Sequence, residues 1–186
     1  MSIAPPAAPR RSTHLRRITC EAFERDDGLL DIEALLIDTK PEPVRLVTGK
    51  TVEPGVAIHR MRVRLTVDRE RWIVDASAYS EERPYPECEG IEPAYRRLVG
   101  LRIEPGFNLQ VKRLFRGEAG CTHISELIPA MASTVFQVLW ADTDSTGSDL
   151  ASPGAKSSPV GACHGLRLDG QVVRTHFPAH RRASGS

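Results

Sequence analysis

The chain has 186 residues, a length typical of one domain. Its 25 basic and 24 acidic residues give a formal net charge of +1, which argues against a nucleic-acid partner because nucleic-acid binders carry an excess of basic charge. Hydrophobic residues make up 40% of the chain, and no apolar run is long enough to span a membrane. Residues 1–10 lack the pattern of a signal peptide. We therefore expect a soluble, cytoplasmic globular protein without a membrane partner.

Composition divides the chain into four segments. We predict a disordered basic arm over residues 1–11 and a main domain over residues 12–141. Residues 142–161 are rich in Ser, Gly and Pro and predict a flexible insertion. In residues 162–180 short alternating runs flank Asp169-Gly170, which predicts a terminal hairpin that completes the domain.

The first half of the main domain shows the two-residue period of β-strands. Alternating runs before and after Asp26-Asp27-Gly28 predict one hairpin, because glycine accepts the positive φ of such turns. Runs over residues 59–67 and 72–79 predict a second hairpin, with residues 42–58 as a loop between the two. The predicted core positions of the second hairpin are His59, Met61, Val63, Leu65, Val67, Trp72, Val74, Ala76 and Ala78.

The second half of the main domain has the period of helices. Apolar stripes predict helices over residues 91–99 and 107–115, each followed by a glycine, and a longer helix that begins near Thr122. Pro129 predicts a kink in this helix or a later start. Two hairpins followed by helices predict an α+β fold, an antiparallel sheet with the helices packed on one face.

Metal-ligand residue types occur near the predicted strand-to-helix junctions. His59 begins the third strand, Cys88 follows the fourth, and Cys121 and His123 stand at the head of the long helix. His123 and Glu126 are three residues apart and share one helix face. Thiolate, imidazole and carboxylate groups bind zinc or iron. The sequence therefore predicts a metal site from Cys88, Cys121, His123, His59 and Glu126.

Other polar and thiol residues have simpler interpretations. Cys20 alternates with apolar residues and is predicted to be a buried structural thiol. Cys163 is a weaker site candidate, and His14, His176 and His180 receive no role. The N-terminal basic cluster is interpreted as a solvated arm; its members are Arg10, Arg11, His14, Arg16 and Arg17.

Several segments together are similar to one bacterial protein family. They are RDDGLLDIEALLIDTK, MRVRLTVD, AYRRLVGLRIEPGF, GCTHISEL and CHGLRLDG. They resemble the family called domain of unknown function 2889, over residues 12–140 and 162–178. The resemblance implies that residues matching Cys121, His123 and Cys163 recur in this family, but the family name carries no activity.

The order of predicted elements also resembles the iron–sulfur scaffold proteins of the NifU type and the related SufE architecture. That resemblance implies that Cys88 matches a loop cysteine, that Cys121 or His123 matches the helix-head ligands, and that His59 stands just before a strand. No cysteine stands immediately before Met61, so one thiolate of such a scaffold is missing. A mononuclear metal or a reactive thiol on a related fold fits this sequence better than a cluster scaffold.

Three functional hypotheses stay open at this point. The first is metal binding, and the second is a small-molecule enzyme with a thiolate nucleophile and His123 as acid/base. One residue separates Cys121 from His123, which makes their direct pairing awkward and favours Cys88 as the nucleophile. The third is a non-catalytic interaction module whose cysteines only pack. The partner is a small molecule or a metal ion in the first two hypotheses, and the sequence does not determine an oligomeric state.

Overall fold

The computed structural model describes residues 7–141 and 160–177. The chain divides between Val135 and Phe136 into two compact units. The first unit contains every strand found in the described residues, and the second contains the end of the long helix and the short helices near the C-terminus. The predicted insertion over residues 142–161 lies almost entirely outside the described residues. Within the described residues, no helix is long and apolar enough to cross a membrane.

The main sheet has four antiparallel strands in the order β1-β2-β5-β6. Its strands are β1 (Leu15–Glu24), β2 (Leu30–Thr39), β5 (Ala57–Val67) and β6 (Ile73–Glu82). Gly28 has a φ of 83° in the β1–β2 turn, so the predicted Asp-Asp-Gly hairpin is confirmed. The predicted loop between the hairpins was wrong in part, because β3 (Val44–Arg45) and β4 (Thr51–Val52) pair there as a small second sheet.

One face of the main sheet forms the core. The predicted alternation is confirmed along β2 and β5, where the buried side chains are Leu30, Ile32, Ala34, Leu36, Met61, Val63, Leu65 and Val67. The prediction was wrong at the start of β6, where Trp72 and Val74 are exposed and Ile73 is buried. Val67 pairs with Ile73 but Thr66 pairs with Asp75, so Val74 is an extra residue that reverses the phase of the strand.

Helices cover the core face of the sheet. They are a 3₁₀ helix (Pro86–Leu98), α1 (Phe107–Leu114) and α2 (Thr122–Ala141). The apolar stripe predicted for α2 is confirmed, since Ile124, Leu127, Ile128, Met131 and Val135 are fully buried. Pro129 lies inside α2, which neither starts later nor ends there. The fold is therefore α+β, as the sequence predicts, whereas the similarity to NifU and SufE proteins stays a prediction.

Two helical predictions need correction. Residues 86–98 form a 3₁₀ helix instead of the predicted α-helix over 91–99, in a segment where Pro86 and Pro93 lack the N–H that an α-helical ladder needs. The predicted terminal hairpin is absent from the described residues 162–177. That segment forms a short 3₁₀ helix (His164–Leu166) and α3 (Gln171–His176).

Candidate metal centre

A row of polar residues crosses one end of the core face. Asp38 of β2 pairs with Arg16 of β1 on one side and with His59 of β5 on the other. Residues directly opposite each other in antiparallel strands lie on the same face of the sheet. Asp38 also continues the buried phase of β2 beyond Leu36, and its side chain is only 1% exposed. The sheet therefore places a buried carboxylate between a guanidinium and an imidazole.

The Asp38 carboxylate accepts hydrogen bonds from three side chains. Oδ1 lies 2.8 Å from Nε of Arg16 and 3.1 Å from Nε2 of His14. Oδ2 lies 2.7 Å from Nη2 of Arg16 and 3.1 Å from Nδ1 of His59. Burial raises the pKa of Asp38, but the hydrogen bonds from Arg16 and His14 outweigh it and lower that pKa to about 2. Asp38 is therefore an anion at neutral pH.

His123 reaches the same carboxylate from the first turn of α2. Its ring stacks on the ring of His59, with centroids 3.7 Å apart and planes inclined by 25°. Its Nε2 lies 3.7 Å from Oδ2 of Asp38. Helix and sheet thus bring two imidazoles and one carboxylate oxygen together.

These three groups have the composition and spacing of a metal site. One ligand atom each from Asp38, His59 and His123 lies within 4.8 Å of the other two. Burial is the main cause that lowers the pKa of both His59 and His123, so both favour the neutral form that binds metals. In a tetrahedral zinc site with bonds of about 2.0–2.1 Å, neighbouring ligand atoms are about 3.3 Å apart. Oδ2 of Asp38 lies 3.1 Å from Nδ1 of His59 and 3.7 Å from Nε2 of His123, so one distance is slightly shorter than this value and the other slightly longer.

A buried tyrosine fixes the start of α2. The Tyr95 hydroxyl lies 2.9 Å from both the backbone N and the backbone O of Cys121, and 2.7 Å from Oγ of Ser125. The preceding Gly120 lies so close to Phe115 that an added Cβ would stand 2.5 Å from the Phe115 Cβ. These contacts determine where the first turn of α2 begins, and with it the position of His123.

The structure brings together some of the predicted site residues. His59 and His123 belong to the cluster. Cys121 places its Sγ 3.8 Å from Nδ1 of His123, so the expectation that these neighbours pair poorly was wrong. The Glu126 carboxylate pairs with Nη1 of Arg16 at the rim of the cluster. Cys88 is half-buried in the 3₁₀ helix and is not a member of the metal-ligand group found among the described residues.

Sequence reasoning missed Asp38, His14 and Arg16. The prediction that His14 and Arg16 belong to a solvated arm was wrong, because both bind the buried Asp38 carboxylate. One sequence signal points to Asp38: it occupies the apolar phase of β2, two residues after Leu36. A charged residue in that phase must be buried with partners.

Comparisons with known proteins identify the family and nothing narrower. No curated protein and no solved structure matches the chain. A family described as "Protein of unknown function (DUF2889)" matches residues 14–137, a span that contains every residue of the cluster. The chain therefore belongs to the DUF2889 family.

Proposed function

We propose that this protein binds one divalent transition-metal ion, zinc or iron, through Asp38, His59 and His123. The observation that carries the proposal is the convergence of three ligand atoms, one from each residue, within 4.8 Å. Two imidazoles and one carboxylate occur as ligands of catalytic zinc and of non-heme iron. Three protein ligands leave a coordination position for water or a small molecule.

The charges around the cluster favour a cation over an anion. Asp38 and Glu126 supply two carboxylates, and Arg16 supplies one guanidinium between them. With neutral histidines the cluster carries a net charge of −1. The two stacked imidazoles cannot both be protonated without repelling each other, which further favours the neutral ligand form.

Groups behind the ligands orient them. Metal-bound histidines usually use their second ring nitrogen for a hydrogen bond that fixes the ring and its tautomer. When Nε2 of His123 faces the metal, Nδ1 faces Sγ of Cys121 at 3.8 Å. Arg16 binds both oxygens of Asp38 and His14 binds Oδ1, and these contacts orient the carboxylate so that Oδ2 also faces the two imidazoles.

Metal titration of the chelator-treated protein tests the proposal. Isothermal titration with Zn²⁺, and with Fe²⁺ under anaerobic conditions, should give one site per chain for at least one of the two ions. His59→Ala and His123→Ala should each weaken binding about 100-fold or more, because each removes a direct ligand. His164→Ala is the matched control, since His164 is exposed and belongs to the second unit. Absence of binding, or equal binding by all variants, overturns the proposal.

The contact between Cys121 and His123 favours a second candidate, a thiol-dependent reaction. In this alternative His123 accepts the proton of the Cys121 thiol across the 3.8 Å contact, and the thiolate attacks an electrophilic small molecule. The alternative requires that an electrophilic probe label Cys121 faster than the exposed Cys163, and that His123→Ala abolish this advantage. Labelling of Cys121 no faster than Cys163 excludes it.

A further inference from the structure

We propose that the β1 edge of the main sheet joins a second copy of this chain in an antiparallel strand pair. β1 is at the end of the strand order and pairs only with β2. At the opposite edge of the sheet, the segment after the 3₁₀ helix covers part of β6: Gly100 N donates to Ile73 O, and Ile73 N donates to Leu101 O. No such backbone partner covers β1 in the part of the chain that the structure describes. A long strand with an open edge is a template for pairing with another chain.

The outward backbone groups of β1 follow from the hairpin. Arg25 N donates to Leu29 O next to the turn, and the β1–β2 ladder has no register shift. Hydrogen-bonded pairs recur at every second residue in an antiparallel ladder. The even-numbered residues from Arg16 to Glu24 therefore direct their N–H and C=O groups to the open edge.

The side chains of β1 are complementary to themselves in one antiparallel register. With a two-fold axis at Thr19, Arg17 lies opposite Glu21 of the second copy, and Glu21 lies opposite the second Arg17. In the same register Leu15 lies opposite Phe23, again twice. All these residues belong to the odd-numbered phase of β1, so they meet on one face of the joined sheet.

The single chain leaves these residues without the partners that this register supplies. Leu15 is 41% exposed and Phe23 is 47% exposed, although both are large and apolar. Neither Arg17 nor Glu21 forms an ion pair with another described residue. Glu21 instead faces Glu33 across the β1–β2 ladder, and an arginine from a second copy would offset this like-charge contact.

The backbone and the side chains of β1 both favour a second copy of the chain as the partner of this edge. The register pairs Ile18 with Cys20 and Arg16 with Ala22, which uses the outward backbone groups of β1 in hydrogen-bonded pairs. Two four-stranded sheets then join into one continuous sheet with their core faces on the same side. The cluster at Asp38 is not altered, because its Arg16 contacts use the side chain and the dimer uses the Arg16 backbone.

The mass of the full chain in solution tests the dimer. Light scattering coupled to size-exclusion chromatography at about 100 µM should give twice the chain mass of 20.5 kDa. Arg17→Glu and Glu21→Arg should each raise the dimer dissociation constant at least about tenfold, because each places like charges opposite each other. The double variant Arg17→Glu/Glu21→Arg exchanges the charges and should restore the dimer.

The charge exchange distinguishes the loss of this interface from a folding defect and from an interface at another surface. A damaged fold would not be repaired by the second substitution, and circular dichroism checks that each variant is folded. A native chain of 20.5 kDa at all concentrations overturns the proposal. A dimer that survives both single substitutions, or one that the exchange fails to restore, also overturns it by placing the interface elsewhere.

Discussion

Arg16 binds the Asp38 carboxylate through two hydrogen bonds, Nε to Oδ1 at 2.8 Å and Nη2 to Oδ2 at 2.7 Å. The pair lies on neighbouring strands at one end of the core face, and its carboxylate is almost fully buried. Two-bond contacts between arginine and a carboxylate fix orientation as well as charge. This pair therefore determines which oxygen of Asp38 faces His59 and His123.

Removal of the guanidinium should destabilise the protein. Arg16→Met leaves a buried carboxylate without its main partner, a change that costs about 3–5 kcal/mol in the free energy of unfolding. Urea unfolding in the presence of a chelator measures the loss. Arg64→Met is the matched control, because Arg64 is exposed on β5, and it should change stability by about 0.5 kcal/mol or less. A loss below about 1 kcal/mol for Arg16→Met would contradict the importance of the pair.

Asp38 should make the stability of the metal-free protein sensitive to acid. Its pKa falls from 3.8 to about 2 on folding, so the unfolded chain binds the proton more tightly than the folded one. The stabilisation, on the order of 2–3 kcal/mol, is complete above about pH 5 and is lost as the pH falls toward 2. Urea unfolding across this range should show a steeper loss for the native chain than for Asp38→Asn. Equal pH dependence in the two proteins would show that Asp38 is not the group responsible.

Tyr95→Phe should weaken both the fold and the metal site. The substitution removes the hydroxyl that contacts the Cys121 backbone and Ser125, and it leaves buried polar groups without a partner. We expect a loss of about 1–3 kcal/mol in the free energy of unfolding. We also expect roughly tenfold weaker zinc binding, because the first turn of α2 carries His123. Tyr79→Phe provides the control, since Tyr79 is exposed on β6. If the folded Tyr95→Phe variant binds zinc as tightly as the native chain, then Tyr95 does not position the metal site.

The cysteines should differ in reactivity. Burial raises the pKa of the Cys20 thiol, although a hydrogen bond with Thr134 opposes this in part, whereas Cys163 is exposed. The thiolate is the reactive form, so Cys20 should be labelled more slowly than Cys163 near pH 8. Single-cysteine variants followed by mass spectrometry give the two rates. In urea the rates should become similar. Fast labelling of Cys20 in the folded chain would show that burial does not protect its thiol.

Local patterns were sufficient to predict most of the fold. The alternation in β2 and β5 and the stripe of α2 depend on residues close in sequence, and burial follows them. The prediction failed at Val74, because a single bulge reverses the phase of a strand without changing its composition. It also failed at residues 162–177, where Asp169-Gly170 precedes a helix instead of closing a hairpin.

The site was less accessible to prediction than the fold. His59 and His123 could be selected as metal-ligand types at element ends, but their contact depends on how α2 lies on the sheet. Asp38 and Arg16 meet because of the β1–β2 register, which fixes the pairs across the whole hairpin. Local sequence instead favoured cysteines, none of which belongs to the metal-ligand group found among the described residues.

An anomalous-difference map from crystals of the chain grown with zinc, measured at the zinc absorption edge, locates the metal ion directly. The map should show one peak about 2.0–2.1 Å from Nδ1 of His59, from Nε2 of His123 and from an oxygen of Asp38. A peak at Cys88, or the absence of a peak beside these nitrogens of His59 and His123, would show that the metal centre is not at Asp38.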